Sequence, residues 1–200
     1  MKQPSNRPCL FCIWSDELKK AQEKFGKTAC EITPQDMARQ FADCTNRPWR
    51  SQFIMANEHF FAVLSRESKV KGHTLVISRR HFSGIADNSL LDEGTEFKAA
   101  FFNMMTEIAR KLTCLTGDKH FPKVYTMSIC EHWTEEELDT AGKSCHTEHL
   151  HFHLLPRPKV MRIPYPYHPE SMFMLPDREL SSEELEKTRN TILAKDIHPP

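Results

Sequence analysis

The sequence carries no excess of charge. Its 27 lysines and arginines are matched by 27 acidic residues, so no net field favours non-specific binding to nucleic acid. It also lacks any apolar run approaching the length of a membrane span, and its opening Met1-Lys2-Gln3-Pro4-Ser5-Asn6-Arg7-Pro8 has no apolar segment of the kind that directs secretion. Internal repeats and low-complexity tracts are missing too. A regular, even set of cysteines is the last absence: the seven present are irregularly spaced, which argues against a secreted disulfide framework and for free thiols or metal ligation. Together these features lead to the expectation of a soluble, cytoplasmic protein with no membrane association.

Among the features that are there, the hydrophobic content of 39% in 200 residues suffices for one substantial core and is short for two, so a single domain over residues 1–200 is expected. The most informative stretch is His149-Leu150-His151-Phe152-His153-Leu154-Leu155. Strict alternation describes a strand, with His149, His151 and His153 on one face and Leu150, Phe152 and Leu154 on the other. An imidazole is costly to bury unpaired and titrates near neutrality, so three together suggest nucleophilic catalysis, a metal site or a phosphate-binding rim. Near the other end, Cys9-Leu10-Phe11-Cys12 could grip a zinc ion from a tight turn if two further ligands exist elsewhere. A redox pair or two unrelated buried thiols are the other readings of that motif.

Residues 14–50 read as a helical insertion. Ser15-Asp16-Glu17 can start a helix through Leu18, Ala21 and Phe25, and Thr33-Pro34-Gln35-Asp36 a second one through Met37 and Phe41, ended by Asn46-Arg47-Pro48. From Gln52 the pattern becomes extended: Phe53-Ile54-Met55, a turn at Asn57-Glu58-His59, and Phe60 to Leu64 predict a hairpin. Thr74 to Ile77 is a further β-branched strand before Arg79-Arg80-His81. Between Asn88 and Leu115, Phe97, Phe101, Met104, Met105, Ile108, Leu112 and Leu115 recur at helical spacing and predict a long core helix stopped at Gly117-Asp118. Val124 to Ile129 is a strand, and a polar loop or short helix over Glu131–Thr140 leads through Ala141-Gly142-Lys143-Ser144 to the histidines. Residues 158–200 predict an irregular Pro- and Tyr-rich extension closed by a helix capped by Ser181 and Glu184.

The motif His-apolar-His-apolar-His-apolar-apolar, followed by Pro156-Arg157, resembles the signature of the histidine triad (HIT) superfamily of nucleotide hydrolases and transferases. The hairpin, the Gly72-His73-Thr74-Leu75-Val76-Ile77 strand and the basic residues before His81 are similar to the middle of such proteins. The resemblance implies an α+β fold: a mostly antiparallel sheet with a long central helix, often homodimeric through that helix and a sheet edge. It implies a structural zinc held by Cys9, Cys12, His81 and His149, a closed set of two sulfurs and two nitrogens.

It implies further that His151 is the nucleophile attacking the α-phosphate of a nucleotide conjugate, oriented by the His149 carbonyl, with His153 on phosphate oxygens. Lys143 and Ser144, beside Gly142, are similar to the family's phosphate-binding Ala-Gly-Gln-Ser segment. With no gap before His149, Ser144, Cys145 and His146 face that segment instead. The aspartate that holds the ribose hydroxyls in the family is replaced by Ser65. The expected activity is therefore hydrolysis or nucleotidyl transfer through a covalent nucleotidyl-histidine, on a dinucleoside polyphosphate, phosphoramidate or similar nucleotide substrate. The alternative is a non-catalytic, zinc-stabilised module that binds a nucleotide or a partner protein. A metalloenzyme with all three triad histidines on the ion fits poorly, because Cys9 and Cys12 would then lack partners.

Overall fold

A computed structural model describes residues 6–40, 49–116, 123–128, 134–157 and 177–194. The first element, α1 (Leu10–Phe25), begins five residues before the start expected from Ser15. The reason is that Phe11, Trp14, Leu18, Ala21 and Phe25 share one spacing of three and four, so the apolar stripe runs through the cysteine motif. Ile13 N–H already donates to Cys9 O at 3.1 Å. Gly26, at φ 62°, ends the helix in the left-handed conformation.

Helix α2 (Pro34–Gln40) is started by a reciprocal cap: Asp36 N–H donates to Thr33 Oγ1 at 3.2 Å, while Thr33 N–H donates to Asp36 Oδ2 at 2.9 Å. Phe41 and the Asn46-Arg47-Pro48 stop expected after it fall outside the described residues. A short α3 (Trp49–Gln52) leads into the hairpin of β1 (Phe53–Ala56) and β2 (Phe60–Leu64). Asn57 Oδ1 closes the turn by accepting from the N–H groups of His59 and Phe60.

Two-residue β3 (Glu67–Ser68) precedes β4 (Thr74–Ser78). The helical stripe over 88–115 is divided into α4 (Asn88–Leu91) and α5 (Thr95–Leu112), because Asp87 caps the former and Gly94 enters the latter in an extended conformation. β5 (Val124–Met127), α6 (Glu135–Thr140) and β6 (His151–Pro156) follow; the Gly117-Asp118 stop and Ile129 are not among the described residues. The chain then forms β7 (Arg178–Glu179) and α7 (Ser182–Leu193), which carries the expected Ser181–Glu184 capping box.

The five-stranded sheet has the order β1-β2-β4-β6-β5, every neighbour antiparallel, and β3 and β7 form a separate two-stranded ribbon. This is the α+β class expected from the sequence. On one face Phe53, Phe61, Val63 and Ile77 pack against Phe11, Leu18 and Ala21 of α1 and Met37 of α2. On the other, Ile54, Phe60, Ala62, Val76 and Leu154 pack against Phe97, Met104, Ile108 and Leu112 of α5 and Leu185 and Ile192 of α7. Strand β6 lies inside the sheet between β4 and β5, so both of its backbone edges are paired, and its side chains are buried or half-buried. No described helix is long and apolar enough to cross a membrane.

Two positions give measurable consequences. Burial pushes the Asp36 carboxyl up, yet Lys27 at 2.7 Å and the Thr33 donors outweigh it and bring the group down to about 2. Because the folded-state value is depressed, this contribution is complete above the ordinary carboxylate range and is lost as pH falls towards about 2. Asp36→Asn should cost about 1 kcal/mol at pH 7 and flatten the acid limb of stability, as read by denaturant titrations across pH. Gly72 has φ 84°, and a Cβ there would lie 2.4 Å from Leu115 Cδ1 and 3.2 Å from Pro156 Cγ. Gly72→Ala should lower stability by about 2 kcal/mol, read as a lower thermal midpoint.

Candidate functional site

The site forms where β6 meets β4 on the face covered by α1. The register sets Leu75 opposite His153 and Ile77 opposite His151, so both histidines share a face with those residues while Phe152 and Leu154 enter the α5 core. His149 lies before the ladder, since the strand begins at His151 rather than at the first histidine. It is nonetheless fixed by its neighbours: Leu150 N–H donates to Phe82 O at 2.7 Å, and Leu150 O accepts from Ser78 N–H at 3.1 Å.

His149 is fully buried. Its Nε2 stands 2.7 Å from the Ser78 carbonyl oxygen, which can only accept, so Nε2 carries the proton and Nδ1 presents a lone pair. That Nδ1 is 3.3 Å from Cys9 Sγ and 3.6 Å from Cys12 Sγ, while His81 Nδ1 is 3.4 Å from Cys12 Sγ. One donor atom from each of Cys9, Cys12, His81 and His149 falls within 4.8 Å of all the others, an arrangement able to hold a metal ion. The two free thiols also share a hydrogen bond, which draws the Cys9 thiol down and pushes the Cys12 thiol up. Phe11, between them in sequence, packs edge-on against both His149 and His151 with ring centroids 5.7 and 5.1 Å away. The helical first turn that spaces the cysteines therefore also seats an aromatic ring against the second histidine.

His151 is 7% exposed. Its Nδ1 donates to the His149 carbonyl at 2.6 Å, leaving the lone pair on Nε2. Burial lowers its pKa, against the opposing pull of the His149 carbonyl, so the neutral imidazole is favoured. Its own carbonyl accepts from Ser128 Oγ at 2.8 Å.

The third histidine has a partner that the sequence reading did not assign to the site. Lys69 N–H donates to His73 Nδ1 at 3.3 Å, which places the His73 proton on Nε2, and His73 Nε2 lies 2.9 Å from His153 Nδ1. His153 thus accepts at Nδ1 and carries its own proton on Nε2. Burial, aided by the charge of Lys69, brings His73 down to about 4, and burial together with His73, His151 and Lys69 brings His153 down to about 3. The signal was parity: His73 precedes β4 in phase with Leu75 and Ile77, the residues opposite His153 and His151.

Lys143 and Ser144 are exposed. Lys143 N–H is taken by Leu138 O at 2.8 Å at the end of α6, and its carbonyl accepts from Arg7, which also pairs with Glu135 and Asp139. The backbone that passes beside the cysteines lies further on: His146 pairs in parallel with Cys9, and its ring sits edge-on 6.3 Å from His81. Ser65 turns its hydroxyl to Glu67 O at 2.7 Å.

The chain is similar to several proteins of known structure. A HIT-like protein involved in cell-cycle regulation from Bartonella henselae is 20% identical, with 72% of this chain and 85% of that one covered and a TM-score of 0.47. A HIT family protein from Bacillus anthracis is 19% identical over 96% and 98% of the two chains, with a TM-score of 0.42. A Zn-bound histidine triad family protein from Mycobacterium smegmatis is 20% identical over 72% and 87%, with a TM-score of 0.38. Curated protein sequences return no match. The family model described as HIT domain matches residues 46–160, more than half of the chain and the whole of the five-stranded sheet with α5; the chain therefore belongs to the HIT domain family.

Proposed function

We propose that the protein is a nucleotide hydrolase or nucleotidyltransferase in which His151 attacks the α-phosphorus of a nucleotide conjugate. The observation that carries this reading is the His151 ring itself: neutral by burial, with Nδ1–H committed to the His149 carbonyl at 2.6 Å and Nε2 left with its lone pair. In the first step the Nε2–phosphorus bond forms as the bond to the leaving group breaks. The positive charge that develops on the imidazole is spread towards the His149 carbonyl. In this reading His153 Nε2–H, its tautomer set through His73, donates to a phosphate oxygen. In the second step water or another acceptor displaces His151 and restores the neutral ring.

Cys9, Cys12, His81 and His149 are the residues that would hold zinc. Tetrahedral zinc with bonds of about 2.3 Å to sulfur and about 2.0–2.1 Å to nitrogen separates sulfur from nitrogen by about 3.5 Å, and the separations here are 3.3, 3.4 and 3.6 Å. Four protein ligands close the coordination sphere, so the ion would be structural and would immobilise the carbonyl that orients His151.

The substrate is a nucleotide conjugate such as a dinucleoside polyphosphate or a phosphoramidate, and the setting is cytoplasmic. A homodimer through α5 and the edge strand β5 would cover Phe102, a large apolar side chain 66% exposed on the outer, mostly polar face of that helix. Phe102→Asp should convert it to monomer in sedimentation experiments, and an unchanged mass would reject that interface.

Two further tests address the chemistry. His151→Ala should reduce turnover of the responsive substrate at least about 1,000-fold while leaving the fold intact by circular dichroism. Rapid quench of the wild-type enzyme should trap a nucleotidyl-histidine; nucleotide binding with no turnover across dinucleoside polyphosphates, phosphoramidates and nucleotide sugars would instead make this a non-catalytic nucleotide-binding module. Metal analysis should find about one zinc per chain, lost in Cys9→Ser together with thermal stability.

A further inference from the structure

The C-terminal segment carries a feature that lies outside the matched family region. Strand β7 docks on β3, with Ser68 opposite Arg178 and Glu67 opposite Glu179, and Leu180 N–H donates to Arg66 O at 3.0 Å. Between this ribbon, the turn that follows β3 and helix α7 lies a cavity of about 370 Å3 lined by Lys69, Lys71, Arg178 and Lys187, with Ser68, Thr188 and Glu184 as its polar remainder. Four cations thus face one carboxylate. Glu184 is spoken for by Arg178, and Asp177 at the cavity's edge pairs with Lys69 at 2.8 Å. Lys71 and Lys187 have no ion-pair partner among the described residues. In a chain with no net charge, this is a local concentration of positive charge around a half-open pocket rather than part of a general basic surface.

We infer that this cavity is an anion-binding subsite for a small ligand carrying several phosphate charges. Its size is at the low end of small-molecule sites, which span about 300–1,000 Å3, so it holds a few phosphate groups and excludes a folded partner. Two cations without counter-ions supply the attraction, and Lys69 and Arg178, already held by carboxylates, can exchange those carboxylates for phosphate oxygens. Lys69 also ties the subsite to the histidines: its backbone N–H holds His73 Nδ1, and its charge is felt by both His73 and His153. An anion that draws the Lys69 ammonium away from Asp177 changes the field at His153. Binding itself depends on the cavity alone; its effect on turnover rests on the nucleotidyl-transfer reading above.

The test is calorimetric titration of inorganic tripolyphosphate into the full-length metal-loaded protein. One ligand per chain should bind, with an affinity that falls as salt is raised, and Lys71→Ala with Lys187→Ala should weaken binding about tenfold or more. His153→Ala should leave that binding in place. Asp177→Asn, which removes the carboxylate competing for Lys69, should tighten binding about threefold or more. Absence of binding, or equal binding in the double variant, overturns the subsite. Loss of binding in His153→Ala reassigns the anion to the triad and overturns it equally. Unchanged affinity in Asp177→Asn overturns the role of Lys69 as the link. None of these readouts needs turnover, so an inactive protein that binds tripolyphosphate as described would refute the catalytic reading and leave the subsite standing.

Discussion

Everything at the site hangs on the way one buried histidine is used three times. His149 gives its Nε2 proton to the Ser78 carbonyl, turns Nδ1 towards Cys9 and Cys12, and lends its backbone carbonyl to His151. The first bond fixes the tautomer that makes the second contact possible, because a proton on Nδ1 would oppose a metal ion and leave Nε2 without a donor for Ser78. The third contact then inherits the rigidity of the other two. A fully buried imidazole of this kind would be a liability if any partner were absent, since each unpaired polar atom in an apolar setting costs about 1–3 kcal/mol. Here the adjoining Leu150 is clamped on both sides by Ser78 and Phe82, so the backbone is as constrained as the ring.

The second chain of dependence runs through Lys69, His73 and His153. A backbone N–H that cannot change its role begins it, so each following ring has its proton position dictated by the one before. Backbone donors are well suited to this, having no alternative protonation state. The turn that supplies the N–H is itself held by Gly72 in a left-handed conformation against Leu115 and Pro156. Both histidine relays therefore start from main-chain groups of the β4 region and end at β6, and the sheet ladder between those strands keeps the two relays in register.

Much of this was legible in the sequence, for reasons that differ by residue. Alternation in His149–Leu154 revealed which faces the side chains take, because a strand in a sheet has no freedom to rotate by one residue without exchanging core and solvent. The Phe97–Leu112 stripe was readable as a core helix on the same ground. The start of α1 was not read correctly: capping chemistry at Ser15 and Asp16 suggested a boundary, whereas the apolar stripe from Phe11 carries the helix back to Leu10. The strand's own start was placed at His149, whose backbone follows Ser78 and Phe82 rather than the β4 ladder. His73 and Lys69 were not read as site residues: parity puts His73 in phase with Leu75 and Ile77, but that matters only once β4 lies beside β6, a pairing between segments about 75 residues apart that no local pattern encodes. The Arg7 cluster at Lys143 and the docking of β7 are tertiary facts of the same kind.

The region matched by the family model is not sufficient to build the site it contains. It supplies His73, His81, His149, His151 and His153, yet the two thiols arrive from residues 9 and 12, on the helix that also presses Phe11 against His151. That segment is stitched in by backbone pairing: Leu10 N–H donates to His146 O at 2.8 Å and His146 N–H to Pro8 O at 3.2 Å, immediately before the triad. From the other end, β7 completes the ribbon on β3 and Asp177 holds the Lys69 side chain beside His73. The flanking segments thus converge on opposite ends of the histidine row, the N-terminal one at His149 and the C-terminal one at the His73–His153 pair. Changes in either flank can alter the chemistry without touching a triad residue, because what they set is the orientation and electrostatic surroundings of imidazoles whose identity is already fixed.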